Sequence, residues 1–346
     1  MSQPHALRRH NRRQILELIF NHEDMTRPQL AQLTGLSQVT VNAVVKQLQD
    51  ECTVQLVPAP QQAPGRAARF VQLAPQLGTV MALDLQPDLL SAQMLGLARQ
   101  PAVNLQVPVD TAGLTEATLT LIEQVRQDSR FGPLRAVLIG LPAPVSAEGH
   151  IGEPSAVPTL DVAALQASGT TVWFENDANL VSLAVHGRTP GLTHVAVLVE
   201  RSSGTGMGLI LGGTLYRGVQ GRAGELGRAP WPQGNSPEVL EQLPAAQRLT
   251  ATAFTLAGLC HALDLEQVVL GLDPVRCEAL EELLGPLLPP GVTVAREPDV
   301  AGAALGGAAL CAVQRYRQEL LDQPRHAAAD ARTGQAGPGG GDEHVA

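Results

Sequence analysis

The segment Thr26–Asp50 carries, within one short stretch, the start and stop signals of two helices joined by a tight turn. Thr26 is placed to cap a helix with Pro28 in its first turn and Leu30, Ala31 and Leu33 on its inner side. Gly35 supplies the left-handed residue required where two helices meet at a steep angle. Ser37 then caps a further helix, Gln38–Gln49, with Val41, Val44, Val45 and Leu48 facing inward. Gln38, Thr40, Asn42 and Ala43 are left near its N-terminal end to face outward. In a helix-turn-helix those positions enter the major groove. Gln and Asn can bridge adenine N6 and N7, and Thr can offer its methyl group to thymine. An apolar-periodic helix over Gln14–Phe20 precedes the pair, and Arg8, Arg9, Arg12 and Arg13 lie just before it. Two short strands, Val54–Val57 and Ala68–Leu73, follow, joined by Pro58–Ala67 as a wing whose Arg66 and Arg69 can meet phosphate or the minor groove. The expected DNA-contacting residues are Thr26, Arg27, Ser37, Gln38, Thr40, Asn42, Lys46 and Arg66. A three-helix bundle with a hairpin and no DNA role is the alternative, and the conjunction of caps, glycine turn and polar outer face weighs against it.

Charge follows the same division. The chain carries a formal net charge of −9, which spread evenly would argue against a nucleic-acid partner. Residues 1–70 hold eight basic side chains, including the only lysine, Lys46, against Glu17, Glu23, Asp24, Asp50 and Glu51. That +3 leaves −12 for residues 71–346, so phosphate attraction is concentrated in the head. The 346 residues suffice for roughly two or three domains with their own cores. No charge-free run reaches membrane-spanning length, and the arginine-rich start lacks the apolar centre of a secretory signal. Cys52, Cys260, Cys277 and Cys311 stand far apart with no CxxC or CxC pair, which argues against a disulfide framework. A soluble protein in the cytoplasm, with no membrane partner, is the expectation.

From Leu77 the pattern changes to short β-branched runs alternating with helices. Strands are expected at Val80–Leu85, Ser91–Gly96, Val103–Val109, Ala136–Gly140 and Val172–Phe174, with helices at Thr115–Arg126 and Asp177–His186. A second set follows: strands Val195–Glu200, Gly208–Leu211, Val268–Leu270 and Val292–Ala295, with helices Ala245–Leu263 and Pro274–Leu284. Strands separated by helices in two blocks imply an α/β fold of two lobes with a cleft. The expected domains are a winged helix-turn-helix at 1–75, a first lobe at 76–190, and a second lobe with a C-terminal helix at 191–322. Residues 323–346, rich in Gly, Ala and Asp without an apolar pattern, are expected to be disordered.

Four stretches in this body stand in a fixed order: Ile139–Val145, Glu175-Asn176-Asp177-Ala178-Asn179, Gly204-Thr205-Gly206-Met207-Gly208, and Gly218–Gly227 centred on Ala223-Gly224-Glu225-Leu226-Gly227. With them, over residues 10–320, the chain resembles the ROK family of bacterial sugar kinases and sugar-responsive repressors. The head places the resemblance with the repressor branch, similar to the xylose and N-acetylglucosamine repressors. It implies a two-lobed, actin-like (ribonuclease-H-like) sugar-kinase fold behind the winged helix-turn-helix. In the family's kinases the aspartate matching Asp177 takes a proton from the sugar hydroxyl that attacks ATP, and the asparagine matching Asn176 hydrogen-bonds the sugar. In a repressor the same pair can hold sugar hydroxyls without chemistry. Helix capping is the alternative reading of both residues; Glu225, at the family's second sugar-binding position, favours ligand contact.

The sequence departs from the family's kinases in two places. Where they carry Asp-x-Gly-x-Thr to wrap a phosphate, this chain reads Asp84-Leu85-Gln86-Pro87-Asp88. A side chain, a proline and an added negative charge there oppose phosphate binding, so Gly204–Gly208 reads as a hairpin instead of a phosphate loop. Many members follow Gly-Glu-Ile-Gly with a histidine and three cysteines that hold zinc; here Arg228 follows Gly227, and Trp231–Pro237 contains no cysteine. Neither zinc nor ATP is expected as a cofactor, and Asp177 is a vestigial base position. Arg228 could replace the histidine and favour an anionic ligand, or face solvent; Glu238 or Glu241 could replace a further family glutamate. The expected ligand-binding residues are Asn176, Asp177, Glu225 and Arg228. The resulting reading is a homodimeric or larger transcriptional repressor of carbohydrate genes, bound to an inverted-repeat operator and controlled by a sugar or sugar-phosphate effector. Its rivals are an active sugar kinase with a DNA-binding head, and a regulator that has lost sugar binding.

Overall fold

Thr26, Gly35 and Ser37 realise their local signals in the folded chain. In the computed structural model, which describes residues 3–59, 68–98, 102–233 and 236–322, helix α1 spans Gln3–Asn21. A two-residue strand, β1 (Met25–Thr26), leads into α2 (Arg27–Thr34), whose N-cap Thr26 forms a capping box with Gln29. Gly35 ends α2 at φ 68°, in the left-handed region, and Ser37 caps α3 (Gln38–Asp50) through the Thr40 amide. Strands β2 (Val54–Pro58) and β3 (Arg69–Leu73) form the wing, and β1 pairs with β3, giving a three-stranded sheet in place of the expected two-stranded hairpin. Ile15, Leu16, Leu30, Val41, Val45 and Leu48 are buried in this head.

The chain divides into two units: residues up to Leu77 together with those from Arg317 on, and Gly78–Tyr316. The head therefore reaches Leu77 instead of 75, and the end of the C-terminal helix, expected with the second lobe to 322, groups with the head. Arg66 and the expected disordered tail, 323–346, lie outside the described residues. Among the described residues, no helix is long and apolar enough to cross a membrane.

The larger unit holds two sheets of the same design. The first consists of β4 (Thr79–Gln86), β5 (Leu89–Gly96), β6 (Val103–Pro108), β7 (Leu134–Leu141) and β8 (Thr171–Asn176), ordered β6-β5-β4-β7-β8, with α4 (Leu114–Gln127) and α5 (Val162–Gln166) in its connections. Helix α6 (Asp177–Arg188) leads onward to β9 (Val195–Arg201), β10 (Gly204–Leu211), β11 (Thr214–Tyr216) and the hairpin β12 (Pro230–Gln233) and β13 (Ser236–Val239). Then come α7 (Ala245–Leu263), β14 (Gln267–Gly271), α8 (Pro274–Leu284), β15 (Thr293–Arg296) and α9 (Val300–Asp322). The second sheet is ordered β11-β10-β9-β14-β15. Read from the edges β6 and β11, both sheets pair antiparallel twice and then parallel twice. This doubled arrangement is that of the actin-like sugar-kinase fold. Its first strands, β4 and β9, end side by side in function: each delivers one member of a buried ion pair described below.

Gly204–Gly208 forms the start of β10, not a loop, and its glycines serve packing. A Cβ at Gly208 would stand 1.9 Å from Ser182 Oγ and 2.7 Å from the Ala178 carbonyl, both on α6. The absent side chain lets α6, and Asp177 at its start, lie directly on the strand.

Candidate DNA-reading helix and ligand cavity

On α3, Gln38, Asn42, Ala43 and Lys46 are exposed, while Val41, Val44, Val45 and Leu48 are buried. Four residues of the expected contact set have partners within the head. Thr26 is occupied by its capping box, its hydroxyl 2.7 Å from Gln29 Oε1. The Thr40 and Ser37 hydroxyls meet each other at 2.9 Å. Arg27 is half-buried, with Nη2 3.5 Å from Gln49 Oε1. Val39, not anticipated from the sequence because apolar residues are read as inward, is 79% exposed beside Gln38. An exposed valine on such a face can contact a thymine methyl. The basic residues of the head are not all available to phosphate either. Arg12 is buried, donating from Nη2 to Glu51 at 2.9 Å and from Nη1 to the Leu320 carbonyl at 2.6 Å, and Arg69 donates to the Leu56 carbonyl at 3.1 Å.

In the larger unit, a cavity of about 220 Å³ is lined by all four expected ligand residues, Asn176, Asp177, Glu225 and Arg228. The junction of β8 and α6 positions the first two. Asn176 is the N-cap of α6: Oδ1 accepts from the Asn179 amide at 3.0 Å, and Nδ2 donates to the Ala143 carbonyl at 3.1 Å. Capping and cavity lining therefore coexist in Asn176, with one amide hydrogen left over. Beneath it Glu175 is fully buried, accepting from Arg217 (2.6 Å), Arg315 (3.1 Å) and Asn179 (3.0 Å). That network fixes the strand end from which Asn176 and Asp177 project.

Asp177 does not stand free. Its Oδ2 accepts from Gln86 Nε2 at 3.0 Å and lies 3.4 Å from Arg201 Nη1, while Oδ1 accepts from the Ala178 amide. Arg201, at the end of β9, grips Asp84 at the end of β4 through two hydrogen bonds of 2.9 and 2.6 Å. Gln86 thus sends its side chain to Asp177, and Asp84 is paired with a guanidinium. These residues do not fit a nucleotide phosphate. Burial raises the Asp177 pKa, opposed by Arg201 and reinforced by Asp84. Burial opposes the Arg201 charge, yet the Asp84 contacts outweigh it and its pKa lies above the ordinary value.

Glu225 lies on the turn before Arg228, set by Gly224 at φ 88°, where a Cβ would meet the Met207 carbonyl at 1.7 Å. Burial raises the Glu225 pKa; Arg228 pulls it down, and Asp177 and Glu241 push it up. Between the two downstream candidates, Glu241 lines the cavity and accepts the Thr205 amide at 2.5 Å, while Glu238 sits exposed on β13. The sequence leaves Glu238 and Glu241 open and carries no motif that marks Arg201. Zinc fares no better than a nucleotide: the stretch after Arg228 is the β12–β13 hairpin, and Trp231 packs tilted against Phe254 with ring centroids 6.2 Å apart. Arginine and indole supply no zinc donor set, and among the described residues no group of three or more His, Cys, Asp or Glu could hold a metal.

The chain matches the ROK family over residues 99–239 and a winged helix-turn-helix DNA-binding family over residues 8–51. It is similar to a xylose repressor of Caldicellulosiruptor bescii, 24% identical over 237 residues, covering 64% of this chain and 58% of the repressor. The chain thus spans little more than half the length of that relative. Its fold is shared with a ROK family transcriptional regulator described as a homologue of the E. coli MLC protein: TM-score 0.68, 17% identity, 92% of this chain and 98% of that one. A ROK hexokinase from Thermus thermophilus shares it at TM-score 0.54 and 24% identity, over 69% of this chain and 99% of the hexokinase.

Proposed function

We propose that this chain, which carries a ROK family domain behind a winged helix-turn-helix head, is a DNA-binding transcriptional repressor of carbohydrate genes. Its kinase-like cavity binds a sugar or sugar derivative and does not phosphorylate it. The observation that carries this reading is the Arg201 clamp. A general base must be free to accept a proton at a substrate hydroxyl, and Asp177 instead shares an oxygen with Gln86 and Arg201. Asp84, the aspartate of the expected phosphate loop, is spent on the same arginine. The cavity keeps polar groups suited to hydroxyls, and the head keeps an exposed polar face on α3. The protein acts in the cytoplasm as a homodimer or larger oligomer on an inverted-repeat operator, its two reading helices about one or two helical turns apart. Ligand changes operator affinity only to the extent that it binds one state better than the other.

The test begins with capture of sheared genomic DNA by the purified protein at physiological salt. Recovery of a few sites sharing an inverted repeat, with affinity altered by a sugar connected to the neighbouring genes, is the expected outcome. Turnover of ATP with any hexose, abolished by Asp177→Asn, would establish the kinase instead. Operator affinity indifferent to every sugar that binds would sink control by the cavity.

A further inference from the structure

The cavity opens into a second recess of about 260 Å³, lined by Pro144, Glu153, Pro154, Arg222, Glu225 and Arg228. Pro144, Pro154, Glu225 and Arg228 belong to both spaces, so Glu225 and Arg228 mark the passage from one to the other. Two guanidiniums, Arg222 and Arg228, converge on the recess, and neither side chain has a hydrogen-bond or ion-pair partner among the described residues.

That is unusual within this unit. Every other described arginine of Gly78–Tyr316 is engaged: Arg201 by Asp84, Arg217 and Arg315 by Glu175, Arg188 by Glu297, Arg296 by Glu281, Arg276 by Glu200, Arg130 by Asp128, Arg126 by the Ser168 carbonyl, Arg248 by the Glu241 carbonyl, and Arg135 by a further contact. The two exceptions occur together, six residues apart, on the turn that carries Glu225. The recess also holds two carboxylates, but neither pairs with them. Glu153 accepts the Ser155 amide at 3.1 Å. Burial raises the Glu225 pKa, and Arg228 and, more weakly, Arg222 pull it down, without either guanidinium closing on it as an ion pair.

We infer that this recess is an anion subsite, and that the ligand of the cavity is an acidic saccharide whose carboxylate or phosphate lies between Arg222 and Arg228. The planar fork of a guanidinium matches either group through paired N–H donors. Among the described residues neither guanidinium has a hydrogen-bond acceptor in the recess, and an anion between them supplies both with acceptors. The ring hydroxyls of the same molecule would extend past Glu225 toward Asn176 and Asp177. This inference rests on the sugar-binding reading of the cavity and adds the charge of the ligand to it.

The experiment is calorimetric titration of the full chain, at fixed ionic strength, with several hexoses, each offered as neutral sugar, uronic acid and monophosphate. In at least one series the acidic form should bind about tenfold more tightly than the neutral sugar, or better. Arg222→Gln, at an exposed position, should reduce that ratio to near one, and Arg228→Gln should do the same. The uronate and phosphate arms separate the two sources of charge. A neutral sugar binding as tightly as its acids, and lost in Asp177→Asn, would overturn the anion subsite and leave the cavity reading intact. A preference for acids that survives Arg222→Gln would overturn it too. Binding of no form in any series would remove the sugar reading, and this inference with it.

Discussion

At the scale of single residues, the buried Arg201–Asp84 pair can be tested as a stability element. Asp84 is 1% exposed, and the Arg201 side chain is 10% exposed. Removing one partner of such a pair leaves a buried charge without compensation, which costs about 3–5 kcal/mol. Arg201→Ala should lower unfolding stability by about that amount, because Asp84 then faces Asp177 with no counter-charge. The double variant Arg201→Ala, Asp84→Ala should recover part of the loss in chemical denaturation; a double variant worse than the sum of the singles would contradict the pairing. Glu225 gives a pH-dependent prediction. Its pKa is raised in the folded chain, from an ordinary 4.5, so its contribution is a cost. That cost is absent below the unfolded pKa and grows as pH rises through the window between the unfolded and folded values. Glu225→Gln should therefore melt higher than the parent at pH 7, with the difference vanishing toward pH 4. A variant that melts lower at pH 7 would show that Glu225 is held by attractive contacts instead.

At the scale of elements, the glycines of β10 make the sharpest prediction. Gly208→Ala places a methyl group against Ser182 and the Ala178 carbonyl at distances no packed structure sustains. Overpacking of this kind costs about 1–3 kcal/mol. It should also displace the start of α6, so a drop in melting temperature should be accompanied by weaker ligand binding in the cavity; an unchanged melting temperature would refute the close approach. The same strand marks where the sequence was hard to read. A run of three glycines in five residues suggests a turn, because the groups that crowd them, α6 at Gly206 and Gly208 and Glu241 at Gly204, are brought up only by the fold. Helix α7 was legible to the residue and α8 close to it, since Pro274 at a first turn and a run of apolar residues are local signals. The arginine-rich first half of α1 has no apolar period, so the helix was expected to begin at Gln14 and begins at Gln3. β1 is two residues long and exists only because β3 pairs with it. In the cavity, Asn176, Asp177 and Glu225 were legible from motifs. Arg201 was not, because an arginine at a strand end acquires meaning only when the fold brings Asp84 to it.

At the scale of the molecule, α1 and the last turns of α9 belong to one unit, and this makes the end of α9 part of the winged helix-turn-helix head. The Arg317 guanidinium lies 4.7 Å from the centroid of the Phe20 ring, and its Nη2 donates to Asn21 at 2.7 Å. Leu320 and Leu321 are buried, and the Leu320 carbonyl accepts from Arg12, whose other nitrogen holds Glu51 at the end of the reading helix α3. One buried arginine thus ties α1, α3 and the last turns of α9 together. Deleting residues 317–346 removes two buried leucines, worth about 1.5–3 kcal/mol each, and leaves an Arg12 donor without its acceptor. The shortened chain should expose residues 1–77 to proteolysis and lose operator affinity. Gly78–Tyr316, which retains the whole cavity, should still be stabilised by ligand, by about 2.7 kcal/mol at one hundred times the dissociation constant. Those two readouts must separate for the argument to hold. If the deletion leaves operator affinity and the proteolytic resistance of residues 1–77 unchanged, α9 does not brace the head. If it abolishes ligand stabilisation as well, the two units do not keep their structures independently. The expected result is loss of the first with survival of the second, because the side-chain and carbonyl contacts that Arg317, Leu320 and Asp322 make outside α9 fall on Arg12, Arg13, Phe20 and Asn21 of α1.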